Sequence, residues 1–239
     1  MYVNIERWII IEEDMRSVGC RGKWNDCSNI EEYVRVDMRK DEIKQTIEYY
    51  NKNAESFVKT TRDVDFSEAG NIFLSYVRDG GSILDFGCGS GRDSRYFLEK
   101  GYDVSACDAS EAMCRLASEY TGIMVKKMYF EELNDESKYD GIWACASLLH
   151  LSEEELNDVI VKIKRALKPD GVLYASFKYG IGSREKNGRY FTDMNEESVK
   201  KWLSDAGMSV CKIWISGDVR EGRDGEKWVN VVGENRKQM

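Results

Sequence analysis

The sequence predicts an α/β fold, a doubly wound and mostly parallel sheet with a C-terminal antiparallel strand pair. Three observations carry this reading. Short apolar runs alternate with amphipathic helical stretches along most of the chain, the order that builds a parallel sheet. The run Ile83-Leu84-Asp85-Phe86 leads into alternate glycines at Gly87, Gly89 and Gly91, and a helical pattern opens at Arg92. Met208 to Ser216 and Lys227 to Gly233 read as two closing strands. The chain has 239 residues, 42% hydrophobic and 33% charged, enough for one sizeable core.

Residues 1–37 are the least readable part. Ile9-Ile10-Ile11 and Tyr33-Val34-Arg35-Val36 suggest strands, with Gly19, Gly22 and Asn25 in turns. We treat 1–37 as an N-terminal extension, a route to a homo-oligomer, and 38–239 as the main domain. From Asp41 to Lys59, Ile43, Ile47, Tyr50, Ala54 and Phe57 recur in steps of three and four, marking one helical face. A short helix spans 67–78, and Asp79-Gly80-Gly81 leads into the first strand. The helix after the glycines stops at Gly101. Tyr102 to Asp108 is the second strand, and Met113, Leu116, Ala117 and Tyr120 give the next helix its buried face. Ile123-Met124-Val125 opens a third strand, and Tyr139 onwards a fourth that runs to His150. Ser152 to Glu155 reads as a capping box, Leu156 to Leu167 as a buried stripe, and Lys168-Pro169-Asp170-Gly171 as the helix stop. Gly171 to Phe177 is a fifth strand, followed by a helix from Asn195 to Gly207.

Ligands bind such sheets beyond the C-terminal strand ends. Asp85, Asp108, Cys145, Ala146 and Lys178 all fall at such ends. A dinucleotide fingerprint would place its third glycine at position 92, which is Arg92. Asp108 lies 108 − 89 = 19 residues after Gly89 and ends the next apolar run, a position suited to ribose hydroxyls.

The string L-D-F-G-C-G-S-G-R-D, with A-C-D-A-S behind it, resembles motif I and its acidic partner in Rossmann-like class I S-adenosylmethionine-dependent methyltransferases. W-A-C-A-S-L-L-H-L, L-K-P-D-G-V-L-Y-A-S-F-K and R-Y-F-T-D-M extend the likeness to the tellurite-resistance-type, or generic small-molecule, group. The resemblance covers about Asp41 to Gly233. It implies S-adenosylmethionine as cofactor, held by Asp85, Gly87, Gly89, Gly91, Arg92, Asp108, Ala109, Tyr129, Phe130, Cys145 and Ala146, with Tyr129 and Phe130 either stacking on the adenine or filling the core. It also implies a lid helix at Tyr49 and Tyr50, with Tyr50 reaching cofactor or substrate or merely filling the core. His150 either acts as a base or bonds backbone near the Ser152 helix. Arg92 either meets the cofactor carboxylate or faces solvent.

Other classes recede. A net charge of −8 argues against non-specific nucleic-acid binding. The Asn/Asp-Pro-Pro-Tyr/Phe motif of adenine-N6 and glutamine methyltransferases is replaced by Cys145-Ala146-Ser147-Leu148. The one proline, Pro169, precedes Asp170, so a Pro-Cys nucleophile is absent. Seven scattered cysteines and one histidine suit a reducing cytoplasm with neither a disulfide framework nor a multi-histidine metal site. No apolar run of membrane-spanning length occurs, and the first residues lack the build of a secretion signal.

The expected partner is a small-molecule acceptor. An RNA-modifying methyltransferase and a non-catalytic cofactor sensor or partner subunit remain open alternatives. Lys178, Arg184, Lys186 and Arg189, interleaved with glycines, read as one mobile loop after the fifth strand. Tyr49, Lys178, Arg184 and Arg189 are the candidate substrate contacts, with a solvated charge run as the alternative.

Overall fold

The computed structural model describes residues 27–236, with side chains from Met38 onward. Ile9–Ile11, Gly19, Gly22 and Asn25 lie outside the described residues. The chain divides into units of residues 1–40 and 41–239. The described part of the first unit is helical.

Helix α1 (Cys27–Thr61) includes Tyr33–Val36, so the strand expected there is corrected to helix. Once a helix is nucleated, each added residue gains a hydrogen bond, whereas a lone β-branched run needs a partner strand. In the second unit the predicted face of α1 is the one that packs. Ala54 and Val58 are buried against Met113, with Tyr50 and Phe57 beside them.

The sheet order is β3-β2-β1-β4-β5-β9-β8. Strands β1 (Ser82–Phe86), β2 (Asp103–Asp108), β3 (Lys126–Lys127), β4 (Tyr139–Ala144) and β5 (Leu167–Lys178) run parallel. Strands β8 (Ser209–Gly217) and β9 (Lys227–Glu234) complete the edge antiparallel. The chain turns outward from β1 in both directions, and the crevice at such a reversal is where α/β sheets hold ligands.

Alternate residues of each strand face opposite layers. Leu84, Phe86, Ile142, Ala144, Leu173 and Phe177 join the larger core, which includes residues of α5 (Glu153–Ala166) and α6 (Glu196–Asp205). Ile83, Val104, Trp143 and Tyr174 pack with Phe73 of α2 (Ser67–Leu74) and Phe97 of α3 (Arg92–Glu99). Trp143 stacks on Tyr174 with ring centroids 3.8 Å apart. Helix α4 (Glu111–Thr121) starts on Ser110, whose Oγ accepts from Met113 N and donates to Asn51 Oδ1 on α1.

Four element boundaries differ from expectation, the first being β4, which stops at Ala144 and gives way to a 3-10 turn over Leu148–His150 instead of running to His150 as a strand. Helix α2 stops at Leu74, short of Arg78. Strand β3 begins after Val125, whose N–H donates to Ser118 Oγ instead of a ladder. Helix α5 ends at Ala166, and Lys168–Gly171 forms an irregularity inside β5, with Asp170 at φ 63°. The stretch read as a mobile loop is a two-stranded hairpin, β6 (Gly182–Lys186) and β7 (Arg189–Asp193). Asn187 and Gly188 both take positive φ, 54° and 68°, the turn whose twist suits a two-residue hairpin.

Trp143→Ala would remove the largest fully buried side chain from between Tyr174, Phe73 and Phe97. We expect a loss of about 3–5 kcal/mol, read as a lower urea midpoint at unchanged slope.

Candidate active site

The glycine turn is anchored to β2. Gly87 N and Cys88 N both donate to Cys107 O at 2.9 Å. Asp108 Oδ2 accepts from Gly89 N at 3.0 Å and Oδ1 from Ser110 N at 2.8 Å. A carboxylate has about four lone-pair sites, so these bonds leave Asp108 capacity for ligand hydroxyls. Burial raises the Asp108 pKa, and the three backbone donors partly oppose that.

All three glycines have positive φ, but their surroundings differ. A Cβ on Gly87 would stand 2.5 Å from Ser147 Cβ, and one on Gly91 2.9 Å from Thr121 Cγ2. These two permit close packing. A Cβ on Gly89 would meet only Phe57, at an ordinary 3.5 Å. Gly89 is therefore the glycine whose missing side chain leaves open space.

Asp85 is the penultimate residue of β1, 2% exposed, and accepts from Ser94 Oγ at 2.5 Å. Burial, then the charge of Asp93, pushes its carboxyl up to about 8. Asp93 is held by Arg92 through two bonds of 2.6 and 2.9 Å and by Trp143 Nε1 at 2.8 Å. Arg92 thus already has a carboxylate partner, and its guanidinium lies over Phe66. Burial alone would lower the Arg92 pKa, but Asp93 more than reverses this.

At the tip of β4, Ala146 has φ 51° and its N–H donates to Ser176 Oγ at 2.8 Å. The Cys145 thiol is pushed up to about 12, first by burial and then by Asp93, so it is protonated at neutral pH. Ser147 Oγ donates to Phe86 O, joining the ends of β4 and β1. A 3-10 turn over Leu148–His150 buries both leucines and turns His150 to the other side.

His150 and Tyr50 meet there. The Tyr50 hydroxyl lies 2.9 Å from His150 Nε2, and His150 Nδ1 lies 2.7 Å from Tyr190 O. A carbonyl can only accept, so Nδ1 carries a proton and a neutral imidazole presents the Nε2 lone pair to Tyr50. Burial raises the Tyr50 pKa, and Arg189 partly offsets it. Strand β7 fixes this arrangement: Tyr190 N donates to Thr46 on α1, and Thr192 Oγ1 donates to Leu151 O.

The proposed basic cluster is largely neutralised. Lys178 pairs with Asp218 and Glu226 and lies 3.9 Å over the Trp228 ring. Arg184 binds Asp193 through bonds of 2.6 and 3.0 Å. These contacts correct the expectation of freely available charges on a mobile loop. Arg189 instead stacks 4.1 Å over Tyr49.

These groups enclose a cavity of about 290 Å³. Its walls include Tyr50, Asp85, Gly87, Gly89, Arg92, Asp108, Ala109, Tyr129, Phe130, Cys145, Ala146, His150, Lys178, Arg184 and Arg189. Gly91 and Tyr49 are not in that lining: Gly91 packs against Ala117 and Thr121 of α4, and Tyr49 lies behind Arg189. Phe130 also packs edge-on to Phe86, with centroids 4.7 Å apart. Sequence reasoning missed Thr46, Phe57, Asn187, Phe191 and the β8–β9 residues Asp218 and Arg220. Asn187-Gly188 was the available signal for the hairpin. Among the described residues, no set of three His, Cys, Asp or Glu is placed to hold a metal ion. No described helix is long and apolar enough to cross a membrane.

Residues 83–171 match the family model described as a methyltransferase domain. That stretch of the chain is a methyltransferase domain. YqeM of Bacillus subtilis (strain 168), provisionally named a methyltransferase, is 31% identical to this methyltransferase domain and its flanks over 146 residues. That alignment covers 56% of this chain and 57% of YqeM. TehB of Haemophilus influenzae (strain Rd), named a probable S-adenosyl-L-methionine-dependent methyltransferase, is 27% identical over 54% of this chain and 47% of its own length. The chain spans about half the length of the curated relatives it matches. In fold, the methyltransferase domain is similar to the crystal structure of Burkholderia thailandensis 1,6-didemethyltoxoflavin-N1-methyltransferase. The TM-score is 0.66 at 22% identity, covering 87% of this chain and 90% of the other.

Because Asp85 binds its proton more tightly folded than unfolded, its stabilising contribution is present at low pH. It is lost as pH rises from the ordinary carboxylate range through about 8. The unliganded protein should therefore lose Tm between pH 5 and 9. Asp85→Asn should flatten that decline in differential scanning fluorimetry.

Proposed function

We propose that the protein transfers a methyl group from S-adenosylmethionine to a small-molecule acceptor. One observation carries this reading: the space left by Gly89 and the Tyr50–His150 pair open into the same cavity. The residues present fit the cofactor. Gly89 leaves a cradle that a side chain would fill, and Asp108 keeps lone pairs for ribose hydroxyls. Tyr129 and Phe130 offer rings to an adenine. When bound, S-adenosylmethionine supplies a methyl already activated by its sulfonium.

The protein then has to align the acceptor, exclude water and manage one proton. Apolar walls from Phe57, Phe66 and Phe191 serve the first two tasks. For a hydroxyl or amine acceptor, Tyr50 oxygen receives the acceptor's proton as its own passes to His150 Nε2. Nδ1 keeps its proton and donates it to Tyr190 O throughout, which holds the ring in place. A thiolate or other anionic nucleophile needs no such relay. Small-molecule specificity is supported by the small cavity, about 290 Å³, and by the net charge of −8.

Calorimetry with S-adenosylhomocysteine tests the cofactor reading. Gly89→Val, verified as folded by circular dichroism, should lose most of its affinity; unchanged affinity would remove the assignment. Tyr50→Phe and His150→Ala should each lower kcat about 10²-fold for a hydroxyl or amine acceptor and little for a thiol. Methyl transfer assayed on panels of phenols, amines, thiols and bulk tRNA identifies the class. Efficient tRNA methylation with every small molecule refused would overturn the small-molecule reading.

A further inference from the structure

The β6–β7 hairpin gives the cavity Arg184, Lys186, Asn187, Arg189 and Phe191. Most cations around the cavity have a carboxylate. Arg184 has Asp193, Lys178 and Arg220 share Asp218, and Arg223 has Glu226. Arg189 differs. Among the described residues no carboxylate pairs with it, and its buried Nε has no hydrogen-bond partner. Its guanidinium lies against rings, 4.1 Å from Tyr49, 5.2 Å from Phe191 and 5.8 Å from Tyr50, and its one side-chain hydrogen bond is to the neutral Tyr50 hydroxyl.

A second observation lies in the register. Lys186 and Arg189 are direct cross-strand partners on either side of the Asn187-Gly188 turn. Like charges directly opposite destabilise a strand pair. The hairpin keeps this repulsion at the cavity wall, where an anion between or beside the two cations would relieve it.

We propose that the unpaired Arg189 guanidinium, assisted by Lys186, is the seat for a carboxylate carried by the methyl acceptor. This rests on the methyl-transfer reading above. A single guanidinium presents parallel N–H groups in one plane, the match for a flat carboxylate. The flanking rings suit a flat apolar body attached to it. Arg189 also lies beside Tyr50, so a carboxylate seated there brings the rest of a small acceptor to the Tyr50–His150 pair. The seat thus selects small carboxylic acids, and Lys178 and Arg184 serve the frame.

The probe is benzoate, with benzamide as its uncharged match, titrated calorimetrically into the full chain saturated with S-adenosylhomocysteine. Benzoate should bind at least about tenfold more tightly than benzamide, and the preference should shrink as salt rises. Arg189→Gln should abolish the preference while leaving S-adenosylhomocysteine affinity unchanged. Arg189→Lys, which keeps the charge and the fold's apolar contact, should retain a reduced preference. Arg115→Gln on the outer face of α4 controls for charge alone and should change nothing. Equal binding of both probes, no binding of benzoate, or a full preference surviving in Arg189→Gln would overturn the proposal. The same titration without S-adenosylhomocysteine separates the two ideas. An Arg189-dependent preference in a protein that ignores the nucleoside would sink the cofactor reading and leave the carboxylate seat standing.

Discussion

Ser147 and Gly87 approach so closely that no side chain fits between the ends of β1 and β4. Much of the site depends on that contact. Ser147 Oγ binds Phe86 O, the neighbouring Ala146 N–H binds Ser176 Oγ, and three adjacent strand ends are thereby locked in sequence. Ala146 accepts a left-handed backbone to allow it. With the tip fixed, Leu148 and Leu149 enter the core and His150 emerges at the cavity. The imidazole owes its position to this packing as much as to its own hydrogen bonds.

Charge in the cavity is divided by element. The ends of β1 and β2 and the start of α3 supply Asp85, Asp93 and Asp108, of which Asp85 is kept protonated by burial. The hairpin and the β8–β9 turn supply Arg184, Lys186, Arg189, Arg220 and Arg223. A protein of net charge −8 can still present a positive wall, because fields are set by the nearest groups in a low-dielectric cleft. Asp218, Glu226 and Asp193 trim that wall until Arg189 and Lys186 remain unpaired among the described residues.

The glycine turn and its tie to Asp108 were legible because their signals are local. Gly87, Gly89 and Gly91 stand beside their strand, and Asp108 ends the next one, so spacing alone brought them together. What spacing could not give was the division of labour among the glycines, since Ser147, Thr121 and Phe57 come from distant elements. The hairpin side of the cavity was poorly legible for the same reason. Lys178 looks free until Asp218 arrives from 40 residues away. Strand β6 is exposed at every position, so it has no apolar alternation to betray it, and only the Asn187-Gly188 pair marks the turn. Tyr50 and His150 are 100 residues apart, and β7 is needed to align them.

The hairpin is a separate two-stranded sheet inserted between β5 and α6. None of its residues belongs to the seven-stranded ladder. It can therefore change length, charge or turn without shifting a single register in the main sheet. The hairpin wall of the cavity is an appendage, whereas the glycine turn is built into the frame. Such an arrangement lets the hairpin wall of the cavity drift among related chains while the glycine turn stays constant, and it makes the hairpin the segment to exchange when reshaping the cavity.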